Sequence, residues 1–398
     1  MGYPDWMTTD APPTPPVLAD SAPAISTAAL ITAMLDSGKG ISDLVFSPGR
    51  PPQVEKQGHL VAVPVPQMPL LRPEDTARIA GELLRGNETA LRTLKEQGAA
   101  DLSYSLPERG RFRVNIFRQR GTFAIVMRVI ASRIPTLAEL KLPPVLAESA
   151  SLKNGIVLVT GPTGSGKSST LAAIIDLINE TRAEHILTIE DPIEFLHQHK
   201  KATVHQRELH SDTPTFAAAL KAALRQAPKV ILVGEMRDRE TIEIALTAAE
   251  TGHLVFSTLH TIDAAKTVDR IIGTFESGDQ QAIRTRLANS FRYIVSQRLV
   301  PNKSGGRTAV FEIVKSTMRT RDYLDRGEGE GRTLLDAMRD GELDGMQYFD
   351  GELEKLLRAD VITRSTAVLF ATNAGNLQLQ IADIPPDSGD PADTIMLR

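Results

Sequence analysis

The sequence predicts an α/β protein built on a buried parallel sheet, with a smaller α+β region ahead of it. Three observations carry that expectation. Four apolar runs, GIVLVT, HILTIE, KVILVGE and HLVFSTLH, follow one another after about residue 150. They do not alternate polar with apolar, and helical stretches separate them, the pattern of strands covered on both faces. A glycine-rich stretch, GPTGSGKSS, joins the first run to the helical pattern SSTLAAIIDLI. Residues 25 to about 145 instead mix short helical and strand signals.

Taken in order, residues 1–24 are rich in Pro, Thr and Ala and read as a disordered or polyproline arm. ISTAALITAMLDSGKGIS reads as an amphipathic helix with a glycine-rich stop. RFRVNIFRQRGTFAIVMRVI reads as a hairpin turning near Gly121. Phe112, Val114 and Ile116 share one face of it, and Arg111, Arg113 and Asn115 the other. SRIPTLAELKLPP reads as a linker with a short helix, and Pro143 and Pro144 mark a boundary. In QAIRTRLANSFRYIVSQRLV, Ile283, Leu287, Phe291, Ile294 and Val295 recur at helical spacing and predict a core-packing helix. The resulting layout is an N-terminal domain at 25–140, a linker at 141–150, a core at 151–300, a helical subdomain at 301–380 and a disordered tail at 381–398.

Composition narrows the function. A chain of 398 residues is too long for one small core and predicts two packed domains. A net charge of −4 and a pI of about 6.1 argue against a nucleic-acid footprint over the whole protein. There is no cysteine, which excludes disulfides, thiol catalysis and cysteine-ligated zinc. MGYPDWMTTD lacks the apolar segment of a signal peptide, and Trp6 stands where myristoylation needs Ser or Thr. No apolar run approaches the ~20 residues of a membrane span. The expectation is a soluble cytoplasmic protein that reaches a membrane only through a partner.

The strongest motif is the loop Gly161, Pro162, Thr163, Gly164, Ser165, Gly166, Lys167, Ser168, Ser169, which fits G-x-x-x-x-G-K-[ST]. Glycines let backbone N–H groups close around phosphate oxygens, and the following helix N-terminus adds positive potential. Lys167 is placed to reach the β- and γ-phosphates of ATP, and Ser168 to help hold Mg²⁺.

Ligands of a parallel sheet sit beyond the carboxyl ends of its strands. Three such ends carry polar residues. Glu190, Asp191 and Glu194 follow HILTIE, with Pro192 ending the pairing there. Glu235 follows VILVG, and Thr258 and His260 close LVFSTLH, with His253 before that strand. Hydrolysis of a γ-phosphate needs a carboxylate at the metal and a group that orients water, and two separated carboxylates divide those roles. His197, His199 and His205 are candidate metal ligands by type alone, without the further ligands a metal site needs.

Together these motifs resemble the secretion and type IV pilus traffic ATPases, most closely the PilT/PilU type of retraction motor. The resemblance runs from about residue 30 to about 380. It rests on GPTGSGKSS, ILTIEDPIEFLH, LRQAPKVILVGEMRD and TAAETGHLVFSTLHT, with support from AIRTRLANSFRYIVSQRLVP. It implies a RecA-like ATPase core, a PAS-like N-terminal domain and a helical C-terminal segment, assembled as a homohexamer with ATP between domains. It further implies that Glu194 is the catalytic glutamate, that Glu235 serves Mg²⁺, and that His253 and His260 are the paired histidines. Arg113 and Arg128, with Arg120 third, correspond to the arginines that reach the phosphates. The implied partners are an inner-membrane pilus platform protein and a second retraction ATPase, with no direct nucleic acid. Pilus-assembly and type II secretion relatives usually carry a tetracysteine zinc insert, so a cysteine-free chain favours retraction over assembly. A nucleic-acid-translocating RecA-like ATPase is the other class considered. One departure stands out. PilT-type motors carry AIRNLI after the stretch resembling FEIVKST, whereas this chain reads MRTRDYL, Met318 to Leu324, with only Arg321 in place. That departure leaves both a main and an accessory, PilU-like motor open.

Overall fold

A computed structural model of the chain describes residues 25–66 and 68–385. Two compact units divide it, residues 1–132 and 133–398. The arm at 1–24 and the tail beyond residue 385 lie outside the described residues.

The first unit runs α1 (Thr27–Asp36), β1 (Ile41–Phe46), β2 (Gln53–Lys56), β3 (His59–Ala62), α2 (Pro73–Leu83), α3 (Glu88–Gln97), β4 (Ala99–Leu106), β5 (Gly110–Gln119) and β6 (Thr122–Val129). Ser26 caps α1 by accepting from the Ala29 amide at 3.2 Å, satisfying one of the helix's unpaired donors. The six strands form one antiparallel sheet in the order β3-β2-β1-β6-β5-β4. The hairpin expected around Gly121 is β5–β6. Its face of Phe112, Val114 and Ile116 is fully buried against α1 and α2 residues such as Leu30 and Ile79.

The second unit opens with α4 (Val145–Glu148) and β7 (Gly155–Thr160). There follow α5 (Lys167–Thr181), β8 (His185–Glu190), β9 (Thr203–Glu208), α6 (Phe216–Ala223), β10 (Val230–Val233), α7 (Arg239–Glu250), β11 (Leu254–Leu259), α8 (Ala264–Ile272), α9 (Gln280–Ser290), β12 (Phe291–Pro301) and β13 (Arg307–Lys315). Five helices close the unit: α10 (Met318–Arg326), α11 (Leu334–Asp340), α12 (Phe349–Arg358), α13 (Arg364–Phe370) and α14 (Ala374–Gln380). The sheet order is β13-β12-β7-β11-β10-β8-β9. Every pairing is parallel except β12 with β13. The four apolar runs read from sequence are β7, β8, β10 and β11, and helices cover both faces.

Two expectations need correction. The helix read through residue 300 stops at Ser290. Phe291, Ile294 and Val295 are buried as expected, but on β12, which pairs parallel to β7. A strand buried on both faces carries apolar residues at every spacing, helical spacing included, so periodicity alone could not separate the two. Arg292 seals the helix end, donating to the carbonyls of Asn289, Ser290 and Phe291. Second, residues 381–385 were read as tail, yet Ile381 is fully buried and Asp383 pairs with Arg358 at 2.7 Å.

Candidate active site

The phosphate loop leaves the end of β7 and enters α5 at Lys167. Its shape depends on glycine at two positions above all. Gly161 has φ +144, and a Cβ there would collide with the Gln297 carbonyl and sit 2.7 Å from Ser165 Oγ. Gly166 has φ +93, and its Cβ would meet Gln297 Nε2 at 2.9 Å. At both positions Gln297 of β12 is an obstacle. That strand also anchors the loop's two ends: Thr160 Oγ1 donates to Ser296 Oγ at 3.0 Å, and Thr170 Oγ1 donates to Gln297 Oε1 at 2.8 Å. Sequence reasoning missed Ser296 and Gln297 because it read β12 as a helix. Reading that stretch as a strand beside β7 would have found them.

Lys167 is buried, and its ammonium donates to the carbonyls of Gly161 at 2.8 Å and Pro162 at 3.1 Å. Burial pushes its pKa down, while the charges of Glu194 and Glu235 push it up. Two carboxylates from different strand ends therefore act on one lysine.

Those groups share a cavity of about 630 Å³. Thr163, Gly164, Gly166, Lys167, Ser168 and Ser169 form one wall, and Glu190, Glu194, Glu235, Thr258 and His260 another. Pro162 and Ser165 instead line an adjoining recess with Arg298, Leu299 and Phe370. Glu235 is largely buried. Its Oε1 lies 2.6 Å from Arg237 Nε and its Oε2 lies 3.5 Å from His260 Nε2. Gly234 docks this strand end on β8, its N–H donating to Ile189 O at 2.7 Å, and Thr258 Oγ1 donates to Gly234 O at 2.6 Å. Glu194 is exposed on the loop after β8, held by the Ile193 amide donating to buried Glu208 at 3.0 Å. Glu190 is enclosed. Thr188 and Gln206 donate to its Oε1 at 2.6 and 3.1 Å, yet burial raises its pKa above the usual carboxylate range.

Not every candidate belongs to this cavity. His253 lies at the opposite end of β11, ~20 Å along the strand from His260. Its Nδ1 donates to Ala248 O at 2.9 Å, a structural bond at the end of α7. His197 does line the cavity. It is buried, and burial lowers its pKa to about 4, with Asp176 opposing, so it is neutral near pH 7. His205 instead bonds His185 at 2.9 Å, and His199 accepts from the Val204 amide. Among the described residues no three His, Cys, Asp or Glu side chains are grouped to hold a metal.

Arg113 and Arg128 belong to the first unit. They sit directly opposite each other on β5 and β6. Arg128 Nε pairs with buried Asp43 at 3.0 Å, and Arg113 stays exposed. Arg120 occupies the hairpin turn with φ +47.

The donor set fits a nucleotide with a divalent ion. The loop and Lys167 offer amides and a cation to phosphate, while the Ser168 hydroxyl and Glu235 carboxylate are the hard oxygen ligands that Mg²⁺ prefers. Among the described residues no helix is long and apolar enough to cross a membrane.

Residues 98–336 match the model of the type II/IV secretion system protein family. The chain is 43% identical over 329 residues to the type IV pilus retraction ATPase PilT of Pseudomonas aeruginosa, covering 83% of this chain and 94% of that protein. It is 40% identical over 344 residues to the type IV pilus ATPase PilU of the same organism, covering 86% and 88%. Among solved structures, the pilus retraction motor PilT with bound ADP aligns at a TM-score of 0.77 and 40% identity, covering 89% of this chain and 99% of that one. The Legionella pneumophila ATPase DotB aligns at 0.74 and 29% identity, covering 92% and 99%.

Proposed function

The chain belongs to the type II/IV secretion family, in the branch of the PilT and PilU pilus ATPases, and from that membership we propose that it is an ATP-hydrolysing motor powering type IV pilus retraction. Lys167 facing both Glu194 and Glu235 in one cavity is the observation that best supports the catalytic part. The loop amides and Lys167 bind the phosphates of ATP. Glu194, exposed on its loop, accepts a proton from the water that attacks the γ-phosphorus. The bond from that phosphorus to the β–γ bridging oxygen breaks, and Lys167 neutralises charge on the departing ADP. Ser168 and Glu235 would hold Mg²⁺, which supplies further charge neutralisation at the β- and γ-phosphates. Arg237 and His260 orient Glu235. Arg113 and Arg128 act as phosphate-neutralising cations.

The chain works as a homohexamer in the cytoplasm, held at the inner membrane by a pilus platform protein and acting as main motor or beside a second retraction ATPase. Deletion in the native host tests this. Hyperpiliated, non-twitching cells rescued by the gene support retraction. Bald cells would assign the motor to pilus assembly.

A further inference from the structure

The second unit holds another cavity, of about 290 Å³, that shares no lining residue with the first. Leu334, Met338, Tyr348 and Phe349 give it apolar walls, Asp263, Glu312, Glu328 and Asp350 bring carboxylates to it, and Arg339 adds a cation. Two of those acids are buried, Glu312 at 5% exposure and Asp350 at 7%.

Their hydrogen bonds are unequally filled. Asp350 accepts the Thr372 amide on one oxygen at 2.6 Å and the Asn373 amide on the other at 2.9 Å. Asp263 caps α8, accepting from the Lys266 amide at 2.7 Å. Glu312 accepts the Ala264 amide on Oε1 at 2.7 Å, and its Oε2 has no partner among the described residues. The Glu312 side chain is buried, and this oxygen is left open to the cavity rather than filled by a donor of the fold.

The charges do not balance either. Two arginines stand by these acids and both are turned elsewhere: Arg339, in the lining, lies 5.3 Å from the centre of the Tyr348 ring, and the other is Arg298, whose charge acts on Glu312, Asp350 and Asp263. The Arg298 guanidinium stacks 3.7 Å from the centre of the Phe349 ring and donates to Phe370 O at 2.7 Å. None of the four carboxylates forms an ion pair within 4 Å among the described residues, and four acids stand against two arginines. Burial accordingly pushes the Glu312 carboxyl up to about 7. A divalent metal fits poorly, because it wants about six oxygen ligands and among the described residues no three of these acids are grouped to hold one. An anion is repelled.

We propose that this cavity binds an organic cation, an ammonium or guanidinium group on a short apolar stem, which donates to Glu312 Oε2 while the stem packs on Met338, Tyr348 and Phe349. Such a group supplies the missing donor and the missing charge, and its methylenes match the walls. The cation is either a free amine or the lysine or arginine side chain of a second copy of this chain.

Calorimetric titration of the full chain with n-butylammonium and n-butylguanidinium, with n-butanol as the neutral control, tests this. Saturable millimolar binding of the cations, at least tenfold tighter than butanol, is expected. At pH 7 each binding event should release roughly half a proton, read from the buffer dependence of the heat, because Glu312 must ionise fully to pair. Glu312→Gln should abolish the proton release and weaken cation binding tenfold or more, with basal ATP turnover unchanged. Met338→Trp, which fills the cavity, should block binding with Glu312 intact. Equal affinity for butanol, or cation binding unaffected by either variant, would overturn the site. Sedimentation with saturating butylguanidinium separates the sources. Dissociation of the assembly assigns the cation to a second copy, and an unchanged assembly assigns it to a free amine. Failure of the retraction phenotype in the host would leave these binding results standing.

Discussion

Thr170 on α5 donates to Gln297 on β12 at 2.8 Å, and the amide nitrogen of the same glutamine fills the space that a side chain at position 166 would need. The strand beside the phosphate loop therefore fixes both the loop's curvature and the first turn of its helix.

Gln297→Ala should remove a buried hydrogen bond and open a gap behind the loop. The expected costs are about 1–2 kcal/mol in urea unfolding and a raised KM for ATP, with the larger change in KM rather than kcat. Wild-type KM in a stable variant would reduce Gln297 to a packing residue.

Gly161→Ala should be far worse than Gly164→Ala. At position 161 the added Cβ meets a backbone carbonyl, which cannot swing aside, whereas nothing lies within 4 Å of position 164. Left-handed backbone alone costs about 1–3 kcal/mol in each case. Binding of a fluorescent ATP analogue should be lost for the first and weakened for the second.

Glu194→Gln should keep nucleotide binding and lower phosphate release by about 10²–10³-fold. Glu235→Gln should shift the Mg²⁺ concentration needed for turnover upward. Full turnover in Glu194→Gln would remove its role with water.

Arg128→Ala does two things at once. It deletes a candidate phosphate cation and strands buried Asp43 without its partner. We expect about 1–2 kcal/mol lost in stability. The Asp43→Asn/Arg128→Ala double variant should recover part of that stability and none of the turnover. Arg113→Ala, which breaks no ion pair among the described residues, should lower turnover with stability intact.

Two buried groups bend stability with pH in opposite directions. His197 has a folded pKa near 4 against 6.5, so its contribution is present above pH 6.5 and lost as pH falls toward 4. Asp176 and Lys200 are the charged groups beside it. Glu312 has a folded pKa raised to about 7 from 4.5, so the folded chain holds the extra proton and stability falls as pH rises from 4.5 to 7. Each is worth on the order of 3 kcal/mol. His197→Asn should flatten the acid limb of denaturation midpoint against pH, and Glu312→Gln the neutral limb.

The phosphate loop, the four central strands and the carboxylates at their ends were legible because each is local: a motif, an unalternating apolar run, an acid at a strand end. β12 was not, since a strand buried on both faces and a buried helix share their composition. The supports of the loop lie 127 or more positions from the residues they hold, Thr170 to Gln297 and Thr160 to Ser296, and no local pattern records such pairings. His253 and His260 looked alike in sequence, but the length of β11 places them at opposite ends of that strand. Glu312 gave no signal, because its character comes from burial by helices that follow it in the chain.

Residues 297 and 298 are neighbours on one strand and so project to opposite faces. Gln297 grips the helix behind the phosphates, while Arg298 lies on Phe349 and holds the Phe370 carbonyl. Arg298 also lines the recess beside Pro162 and Ser165, so this one strand joins the nucleotide end of the protein to its trailing helices.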